Sequence, residues 1–313
     1  MEQPDHPARS AAQDITRHFL GHRNASVNPT PHQGSVNWCF VIEASDCTLI
    51  LRINRVRNAD RALSEYRKEQ WCIGQARAAR VPSPQVLACG KHAGRAWSIQ
   101  QHIHGTSPDQ AVPRPELWRL LGQWSATIAK ITPPTDHTLG ITLHRAQQHT
   151  REQTQYNLEQ LTPDDPLVEL GVYARPDQPR LRLAFEALQD KPFEFALHHG
   201  DLSTNNVLID ADNQPWLIDW GEALVAPSPH FGINVIRKQQ YLDEPVHDAD
   251  YQAFLDGTGV ARDELEQITP DLDRMLLLQA CDLTRWAIDC CPPRLDEIAG
   301  TGRALLAAIL HPQ

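Results

Sequence analysis

The sequence predicts an α+β protein with two lobes, a small antiparallel-sheet lobe followed by a mostly helical lobe. The chain has 313 residues, which is too long for one small core and suits two lobes. Up to about residue 103 the apolar segments are short and strand-like, whereas beyond it apolar residues recur at helical spacing. Hydrophobic residues make up 41% of the chain and charged residues 22%, which is typical of an ordinary globular protein.

The elements of the first lobe are predicted from strand-like runs and one long helix. Two apolar runs separated by a short turn, at residues 37–42 and 47–53, indicate a β-hairpin. Residues 61–79 contain no proline and predict a helix, which the sequence Val81-Pro82-Ser83-Pro84 ends. The other elements predicted here are a short helix at residues 14–20 and strands at residues 86–88 and 97–100.

The second lobe follows a predicted linker at residues 103–108 and begins with a helix at residues 116–131. The apolar residues of this helix fall on one face, and Pro133-Pro134 follows its end. The other elements predicted here are helices at residues 147–162, 179–190, 271–289 and 296–310 and strands at residues 197–202, 206–209 and 216–218. We therefore expect lobes at residues 1–103 and 104–313, with a hinge at about residues 100–105.

The net charge of −10 is unevenly distributed along the chain. Residues 1–105 contain 13 Lys and Arg against 8 Asp and Glu, a net charge of +5, so the remainder carries −15. A basic first part suits a polyanion such as a nucleotide, and an acidic second part suits a cationic partner and argues against nucleic acid. The alternative is that the acidic charge only maintains solubility.

The location of the protein is predicted from its apolar runs and cysteines. No run approaches the roughly 18 apolar residues that a membrane helix needs, so we expect no membrane association. The first residues have neither a basic region nor an apolar stretch, so no signal peptide is predicted. The seven cysteines form no Cys-x-x-Cys pair, which indicates reduced thiols and a cytoplasmic protein.

Two short motifs, residues 199–206 (HGDLSTNN) and residues 219–221 (DWG), contain the candidate catalytic and metal-binding residues. Phosphoryl transfer needs a base near the acceptor hydroxyl, metal ligands for the triphosphate and positive charge near the phosphates. An Asp followed by four residues and an Asn is the spacing of a kinase catalytic loop, here Asp201 and Asn206. Asp201 is the predicted base, and the oxygens of Asn206 and Asp219 are the predicted ligands of Mg²⁺. The alternative is a buried turn capped by Asp and Asn.

Together the two motifs closely resemble the aminoglycoside phosphotransferase / choline kinase family. The resemblance is strongest at residues 197–223 and covers about residues 33–290. It implies a two-lobed, protein-kinase-like fold, in which residues 1–103 bind nucleotide and residues 104–313 hold the catalytic loop and the acceptor. It also implies transfer of the γ-phosphate of ATP or GTP, with Mg²⁺, to the alcohol group of a small molecule. Within this loop, His199 is expected to orient the backbone.

The resemblance assigns further nucleotide-contacting residues to the first lobe. Ser35 falls in the phosphate-covering loop, where a plain hairpin turn is the alternative. Arg52 stands where a kinase has a strand lysine, and the helix residue Glu69 matches the Glu that pairs with that cation. Glu65, one turn earlier, is the competing candidate for this pair. The residues whose backbone atoms are expected at the purine edge are Gln101 and Ile103.

Two residues depart from the family pattern. Arg52 keeps the positive charge of the usual lysine but reaches the phosphates differently. Gly232, in Pro229-His230-Phe231-Gly232, stands where the family has an Asp that braces the catalytic loop. We expect the second departure to affect the bracing of the loop and not the chemistry.

Carboxylates of the acidic second part are the candidates for acceptor binding. Asp282, Trp286 and Asp289 share one face of a predicted helix, where charge and cation–π contacts can hold an ammonium group. The alternative is a solvated helix face with one packed Trp. The other candidates are Glu222, Asp243, Glu244, Asp248 and Asp250. We therefore expect a small cationic acceptor of the aminoglycoside, amino-alcohol or amino-sugar class.

Two other functions fit parts of the sequence. A protein kinase is disfavoured because the chain has neither the three-glycine loop nor an Ala-Pro-Glu segment after Asp219. A regulatory module that binds nucleotide without catalysis is favoured only by the departures at Arg52 and Gly232. The sequence carries no signal for an oligomeric state.

Overall fold

The computed structural model of the protein describes residues 8–21, 24–31, 33, 36–55, 58–108, 114–189, 191–242 and 246–312. These residues form two units. Unit 1 contains the described residues of Met1–Ala111, Pro134–Ile141 and Thr204–Ala223. Unit 2 contains those of Val112–Pro133, Thr142–Ser203 and Leu224–Gln313. The segment Thr204–Ala223 therefore belongs to unit 1, and the lobe boundary near residue 103 stays a prediction.

Unit 1 contains a five-stranded antiparallel sheet, in the order β1-β2-β3-β5-β4. Its strands are β1 (Ala25–Pro29), β2 (Asn37–Ala44), β3 (Thr48–Asn54), β4 (Val86–His92) and β5 (Arg95–Gln101). Alternate residues of β3 are buried, and helix α1 (Arg9–Leu20) packs Ala12 and Ile15 against them. The predicted hairpin and the two later strands are confirmed. Strand β1 was not predicted because it contains no apolar run.

The long helix of unit 1, α2 (Ala59–Ala78), agrees with the helix predicted at residues 61–79. It begins where the Asn58 side chain accepts a hydrogen bond from the backbone amide of Arg61, at 3.1 Å. One face buries apolar residues, including Tyr66 and Ile73, and the same face buries the carboxylate residue Glu69. A charged residue on a buried face requires a partner.

Unit 1 contains a second sheet of three strands, which includes the residues that follow the predicted catalytic loop. Its strands are β6 (Gly105–Thr106), β8 (Val207–Asp210) and β9 (Pro215–Leu217), in the order β6-β8-β9. The segment that was predicted as a linker therefore includes a short strand. In the turn between β8 and β9, the Asp210 carboxylate accepts hydrogen bonds from the amides of Asp212 and Gln214, at 3.0 and 2.8 Å.

Unit 2 is mostly helical and includes a small two-stranded sheet. Its helices are α3 (Arg114–Ala129), α4 (Leu143–Gln160), α5 (Pro166–Glu169), α6 (Gln178–Gln189), α7 (Phe231–Tyr241), α8 (Asp248–Thr258), α9 (Arg262–Cys290) and α10 (Leu295–Leu310). Its strands are β7 (Phe195–His198) and β10 (Leu224–Pro227), which pair antiparallel. None of the helices among the described residues is long and apolar enough to cross a membrane. The predicted α+β class is confirmed.

Two predicted elements of unit 2 have the wrong bounds. The predicted strand at residues 197–202 ends at His198, because Gly200 has a φ of +84° and turns the chain out of the strand. The predicted helix at residues 271–289 begins already at Arg262 and continues through Pro270 to Cys290. Helices α7 and α8 were not predicted.

Helices α3 and α8 cross at two glycines that bring their backbones together. A Cβ atom on Gly122 would lie 2.1 Å from the carbonyl oxygen of Phe254. A Cβ atom on Gly257 would lie 1.9 Å from the carbonyl oxygen of Arg119. Real side chains do not approach backbone atoms so closely, so the crossing requires glycine on both helices.

Gly122→Ala is expected to lower the free energy of unfolding by about 1–3 kcal/mol, because the added methyl group separates two packed helices. Gly74 is the matched control, since it is also a helix glycine but a Cβ atom there would meet nothing within 4 Å. Gly74→Ala is expected to raise the free energy of unfolding by about 0.5–1 kcal/mol. Urea denaturation measures both effects, and equal stabilisation by the two substitutions would contradict the close crossing.

Candidate active site

The guanidinium group of Arg52 is held in a fixed position inside unit 1. Arg52 on β3 lies directly opposite Ser98 on β5, and its Nε donates to the Ser98 hydroxyl at 3.2 Å. Its Nη2 donates to the carboxylate of Glu69 on α2. The Tyr66 ring lies 5.2 Å from the guanidinium carbon. A lysine has no Nε–H donor, so this arrangement is specific to arginine.

The Arg52–Glu69 pair is shielded from water, with side-chain exposures of 12% and 7%. Burial lowers the pKa of Arg52, but the Glu69 carboxylate, together with Tyr66 and Asp219, raises the pKa above its usual value. Glu65, the competing candidate, pairs instead with Lys68 at 2.7 Å and is half exposed. The structure therefore joins Arg52 to Glu69 and leaves Glu65 at the surface of the helix.

Asn206 and Asp219 lie at the same end of the β8–β9 pair. Asn206 ends a short 3-10 turn, Thr204–Asn206, immediately before β8. The backbone amide of Ile218 donates to the carbonyl of Asn206 at 2.9 Å, which places Asp219 one residue beyond that contact. The short connection between the two strands therefore brings both predicted metal ligands to one edge of unit 1.

The backbone of Asp219 is left-handed, with a φ of 60° and a ψ of 68°. Non-glycine residues rarely adopt this conformation, although Asp tolerates it better than most. Asp219 is exposed, and its charge contributes to the raised pKa of Arg52. A carboxylate and an amide oxygen at one edge are the hard oxygen donors that Mg²⁺ prefers, so the residues present fit this ion.

The loop after Asp219 is anchored at two points. The indole of Trp220 is fully buried, and its Nε1 donates to the carbonyl of Leu217 at 3.4 Å. The Lys68 ammonium donates to the carbonyl of Gly221 at 2.8 Å. A Cβ atom on Gly221 would lie 3.5 Å from Asp219 Oδ1 and 3.6 Å from Glu69 Oε1, so these carboxylates flank the same backbone position.

The predicted base and its neighbouring histidine lie in unit 2, directly after β7. His199 is buried at 1% exposure, whereas Asp201 is exposed. The backbone amide of Asp201 donates to His199 Nδ1 at 3.4 Å, so the imidazole ring contacts the backbone of the loop. His198 points elsewhere: its Nε2 lies 2.8 Å from the Ser228 carbonyl, and burial lowers its pKa to about 4.

The space around Gly232 explains the second departure from the family pattern. A Cβ atom there would lie 2.0 Å from the Ser125 hydroxyl oxygen and 3.8 Å from Leu202 Cδ1. An aspartate therefore does not fit beside the catalytic loop unless Ser125 moves. A different side chain supports the loop, because Gln239 Nε2 on α7 donates to the carbonyl of Leu202 at 3.3 Å. Sequence reasoning missed Gln239 because α7 was not predicted.

The residues predicted at the purine edge lie at the end of β5 and after it. The amide of Gln101 donates to the carbonyl of Gln85 at 2.8 Å, and the side chain of Ile103 is buried. Ser35, predicted in the phosphate-covering loop, lies outside the described residues. Ser98 and Lys68 were missed, since nothing in the local pattern distinguishes a buried strand serine or a helix lysine.

The candidate acceptor residues are divided between the two units. Glu222 is exposed and belongs to unit 1. In unit 2, the Asp282 carboxylate accepts hydrogen bonds from Gln153 Nε2 and Asn157 Nδ2, both at 2.8 Å, and Trp286 is 49% exposed. Asp289 is exposed, and Asp248 accepts a hydrogen bond from the Gln240 side chain. Asp250 is buried and forms an ion pair with Arg114. Asp243 and Glu244 lie outside the described residues.

Arg52→Lys is expected to raise the KM for nucleotide about 10-fold, because the substitution loses the Nε bond to Ser98 and the forked geometry of the guanidinium group. Steady-state kinetics at a saturating acceptor concentration measures this change. Arg67→Lys, at an exposed residue of the same unit, is the matched control and is expected to keep the wild-type KM. An unchanged KM in Arg52→Lys would contradict the importance of the fixed guanidinium position.

Comparison with known protein families gives one match over most of the chain. A family model described as the phosphotransferase enzyme family matches residues 31–277. The matched range includes Arg52, Glu69, Asp201, Asn206 and Asp219. A search of curated protein sequences finds no match.

Several solved structures have the same fold. The aminoglycoside phosphotransferase APH(4)-Ia has 18% sequence identity and a TM-score of 0.65, covering 95% of this chain and 97% of that chain. A macrolide 2′-phosphotransferase, MphH from Brachybacterium faecium, has 17% identity and a TM-score of 0.60, covering 97% of each chain. A thermostable mutant of APH(4)-Ia has been solved as a ternary complex with AMP-PNP and hygromycin B, at 17% identity and a TM-score of 0.64, covering 95% of this chain and 98% of that chain. These similarities confirm the predicted two-lobed, protein-kinase-like class.

Proposed function

Because the chain belongs to the phosphotransferase enzyme family, we propose that it transfers the γ-phosphate of ATP or GTP to a hydroxyl group of a small molecule. The observation that carries this proposal is that Asn206 and Asp219 lie at the same end of the β8–β9 pair, where the Ile218 amide donates to the Asn206 carbonyl. Two oxygen donors at one edge, close in sequence to the exposed Asp201, match the needs of phosphoryl transfer.

Each polar residue of the site has a proposed role. Asp201 accepts the proton of the acceptor hydroxyl as the acceptor oxygen bonds to the γ-phosphorus. The bond between the γ-phosphorus and the bridging oxygen breaks, and the nucleoside diphosphate leaves. Asn206 and Asp219 hold Mg²⁺, which when bound neutralises charge on the phosphates. Arg52, which Ser98 and Glu69 hold in position, supplies the positive charge that the protein itself contributes near the phosphates.

The two histidines of the loop have different roles in this proposal. His199 orients the loop through the Asp201 amide and does not itself accept the acceptor proton. His198 is a packing residue, since it is buried against the Ser228 carbonyl. Gln101 and Ile103 contribute backbone atoms to the purine edge, and Ser35 contributes to the phosphate-covering loop.

We propose a cationic, hydroxyl-bearing acceptor of the aminoglycoside, amino-alcohol or amino-sugar class. The net charge of −15 beyond residue 105 favours a cation. Asp282 is held in one orientation by two amide groups, and Trp286 exposes half of its surface one helical turn later, so a charge and an aromatic face are available for an ammonium group. Glu222 is a further candidate for this contact. Similar solved structures include an aminoglycoside and a macrolide phosphotransferase.

The proposed location is the cytoplasm, without nucleic-acid or membrane partners. None of the seven cysteines, all of which lie among the described residues, forms a disulfide bond, which supports a reducing compartment. The acidic second part disfavours nucleic acid because phosphate backbones are themselves anionic.

An acceptor screen with coupled detection of ADP tests the proposed function. We expect Mg²⁺-dependent ADP release with cationic hydroxyl compounds and little with neutral sugars of matched size. Asp219→Asn keeps a side chain that tolerates the left-handed backbone but removes the charge, so it is expected to abolish this release. A preference for neutral acceptors would overturn the proposal of a cationic acceptor. Mg²⁺-dependent nucleotide binding without hydrolysis or transfer to any compound would favour the regulatory module instead.

A further inference from the structure

Helix α2 presents two consecutive charged residues to two different parts of unit 1. Glu69 binds the Arg52 guanidinium group on β3. Lys68 extends instead to the loop after Asp219, where its ammonium group donates to the Gly221 carbonyl at 2.8 Å. The Lys68 side chain is only 12% exposed, which distinguishes it from a solvated surface lysine.

Lys68 contacts the segment whose backbone conformation sets the position of the Asp219 carboxylate. Asp219 adopts a left-handed backbone, which requires support from its surroundings. On its C-terminal side the loop is anchored by the buried Trp220 indole and by the Lys68 bond to Gly221. Gly221 itself has no side chain with which to make such an anchor.

We propose that Lys68 is a positioning residue for the Mg²⁺ ligand Asp219. By holding the Gly221 carbonyl, Lys68 fixes the loop in the conformation that directs the Asp219 carboxylate to the edge shared with Asn206. Helix α2 then orders both halves of the nucleotide-phosphate site, the cation through Glu69 and the metal ligand through Lys68. This inference rests on the proposed function, because it assigns Lys68 to the metal site of that function.

Glu65 allows the two contacts of Lys68 to be tested separately. Glu65 Oε2 lies 2.7 Å from the Lys68 ammonium, and its side chain is 52% exposed. Glu65→Gln removes this exposed ion pair and leaves the Gly221 bond in place. Lys68→Met keeps the apolar stem of the side chain and removes both contacts, and Lys68→Arg keeps a charged donor.

The experiment measures the affinity for AMP-PNP by calorimetry, once with saturating Mg²⁺ and once with EDTA. The ratio of the two affinities reports the metal-dependent part of binding and does not require catalysis. Lys68→Met is expected to reduce this ratio about 10-fold, as is usual when a residue that orients a metal ligand is lost. Its affinity in EDTA and its melting temperature without nucleotide are expected to stay at wild-type values. Glu65→Gln is expected to keep the full ratio, and Lys68→Arg is expected to retain most of it.

The results separate this inference from the proposed function. A wild-type ratio in Lys68→Met would overturn the positioning role while leaving the metal site of the proposed function intact. An equal loss of affinity with Mg²⁺ and with EDTA would also overturn it, because Lys68 would then support the fold or the nucleotide pocket in general. A wild-type protein whose nucleotide affinity does not depend on Mg²⁺ would overturn the metal site itself and the inference with it.

Discussion

Asp201→Ala is expected to lower kcat by a factor of about 10²–10⁴ while leaving the affinity for AMP-PNP with Mg²⁺ unchanged. The reason is that Asp201 acts on the proton of the acceptor and belongs to neither the phosphate-binding nor the metal-binding residues. Its carboxylate is exposed, whereas the neighbouring His199 is buried. The backbone bond from Asp201 to His199 is not removed by the substitution, so the loop is expected to keep its conformation.

The measurement is single-turnover transfer at saturating acceptor, together with calorimetric nucleotide binding. Asp164→Asn is the matched control, because Asp164 is another exposed aspartate of unit 2, and it is expected to keep wild-type kcat. A fall in nucleotide affinity that accounts for the whole loss of activity would contradict the role of Asp201 as a base.

Arg285→Met is expected to lower the free energy of unfolding by about 3–5 kcal/mol, because it leaves a buried carboxylate without its cation. Arg285 on α9 donates from Nη1 and Nη2 to the two oxygens of Asp165, both at 2.7 Å. Its Nε donates to Asn157 at 3.0 Å, and the Tyr173 hydroxyl donates to Asp165. Side-chain exposures of 3% and 0% exclude water from the Arg285–Asp165 pair.

The stability loss from Arg285→Met is expected to depend on pH. Burial raises the pKa of Asp165, but the hydrogen bonds from Arg285, Tyr173 and the Leu167 amide, together with the charge of Arg285, hold the pKa below the usual value of 3.8. The wild-type pair therefore contributes its full stability above about pH 4 and loses it as the pH falls through the lowered pKa. In Arg285→Met the lone buried carboxyl favours its protonated form, so acidification from neutral pH should narrow the difference between the two proteins.

Urea denaturation at several pH values measures this prediction. Arg262→Met, which removes an ion pair whose partners are 93% and 68% exposed, is the control and is expected to have no measurable effect. Arg285→Met combined with Asp165→Asn is expected to recover part of the loss, since an amide does not carry a buried charge. A loss that stays constant down to pH 4 would contradict the ionised state of Asp165.

The candidate site could be predicted from the sequence wherever its residues lie close together in the chain. Asp201 and Asn206 occupy one loop, and Asp219 follows the β8–β9 pair, so their types and spacing were sufficient to propose a role for each. The hairpin of β2 and β3 was likewise predicted because apolar runs and a short turn are local signals. Strand β1, which contains no apolar run, was not predicted, and neither were helices α7 and α8.

Gly232 marks the point where a family pattern alone would mislead. The absence of the bracing Asp is visible in the sequence, but its consequence depends on residues elsewhere. The Ser125 hydroxyl on α3 fills the space that an aspartate would need, and Gln239 on α7 reaches the Leu202 carbonyl. Neither the position of Ser125 nor the contact of Gln239 could be identified without knowing how α3 and α7 pack beside the catalytic loop.

The residues proposed to perform the chemistry were therefore readable from the chain, as were Glu69 and His199, whereas Ser98, Lys68 and Gln239, which contact them or their loops, were not. The contacts that were not predicted join distant positions, whether they lie at the candidate site or in the core of unit 2: Arg52 to Ser98 over 46 residues, Arg285 to Asp165 over 120 and Lys68 to Gly221 over 153. The periodicity of a helix or strand reports which face a side chain occupies, but not which distant segment packs against that face. The residue types and spacing of the motif thus indicated phosphoryl transfer, whereas the contact between Lys68 and the Gly221 carbonyl became visible only in the packing of α2 against the loop after Asp219.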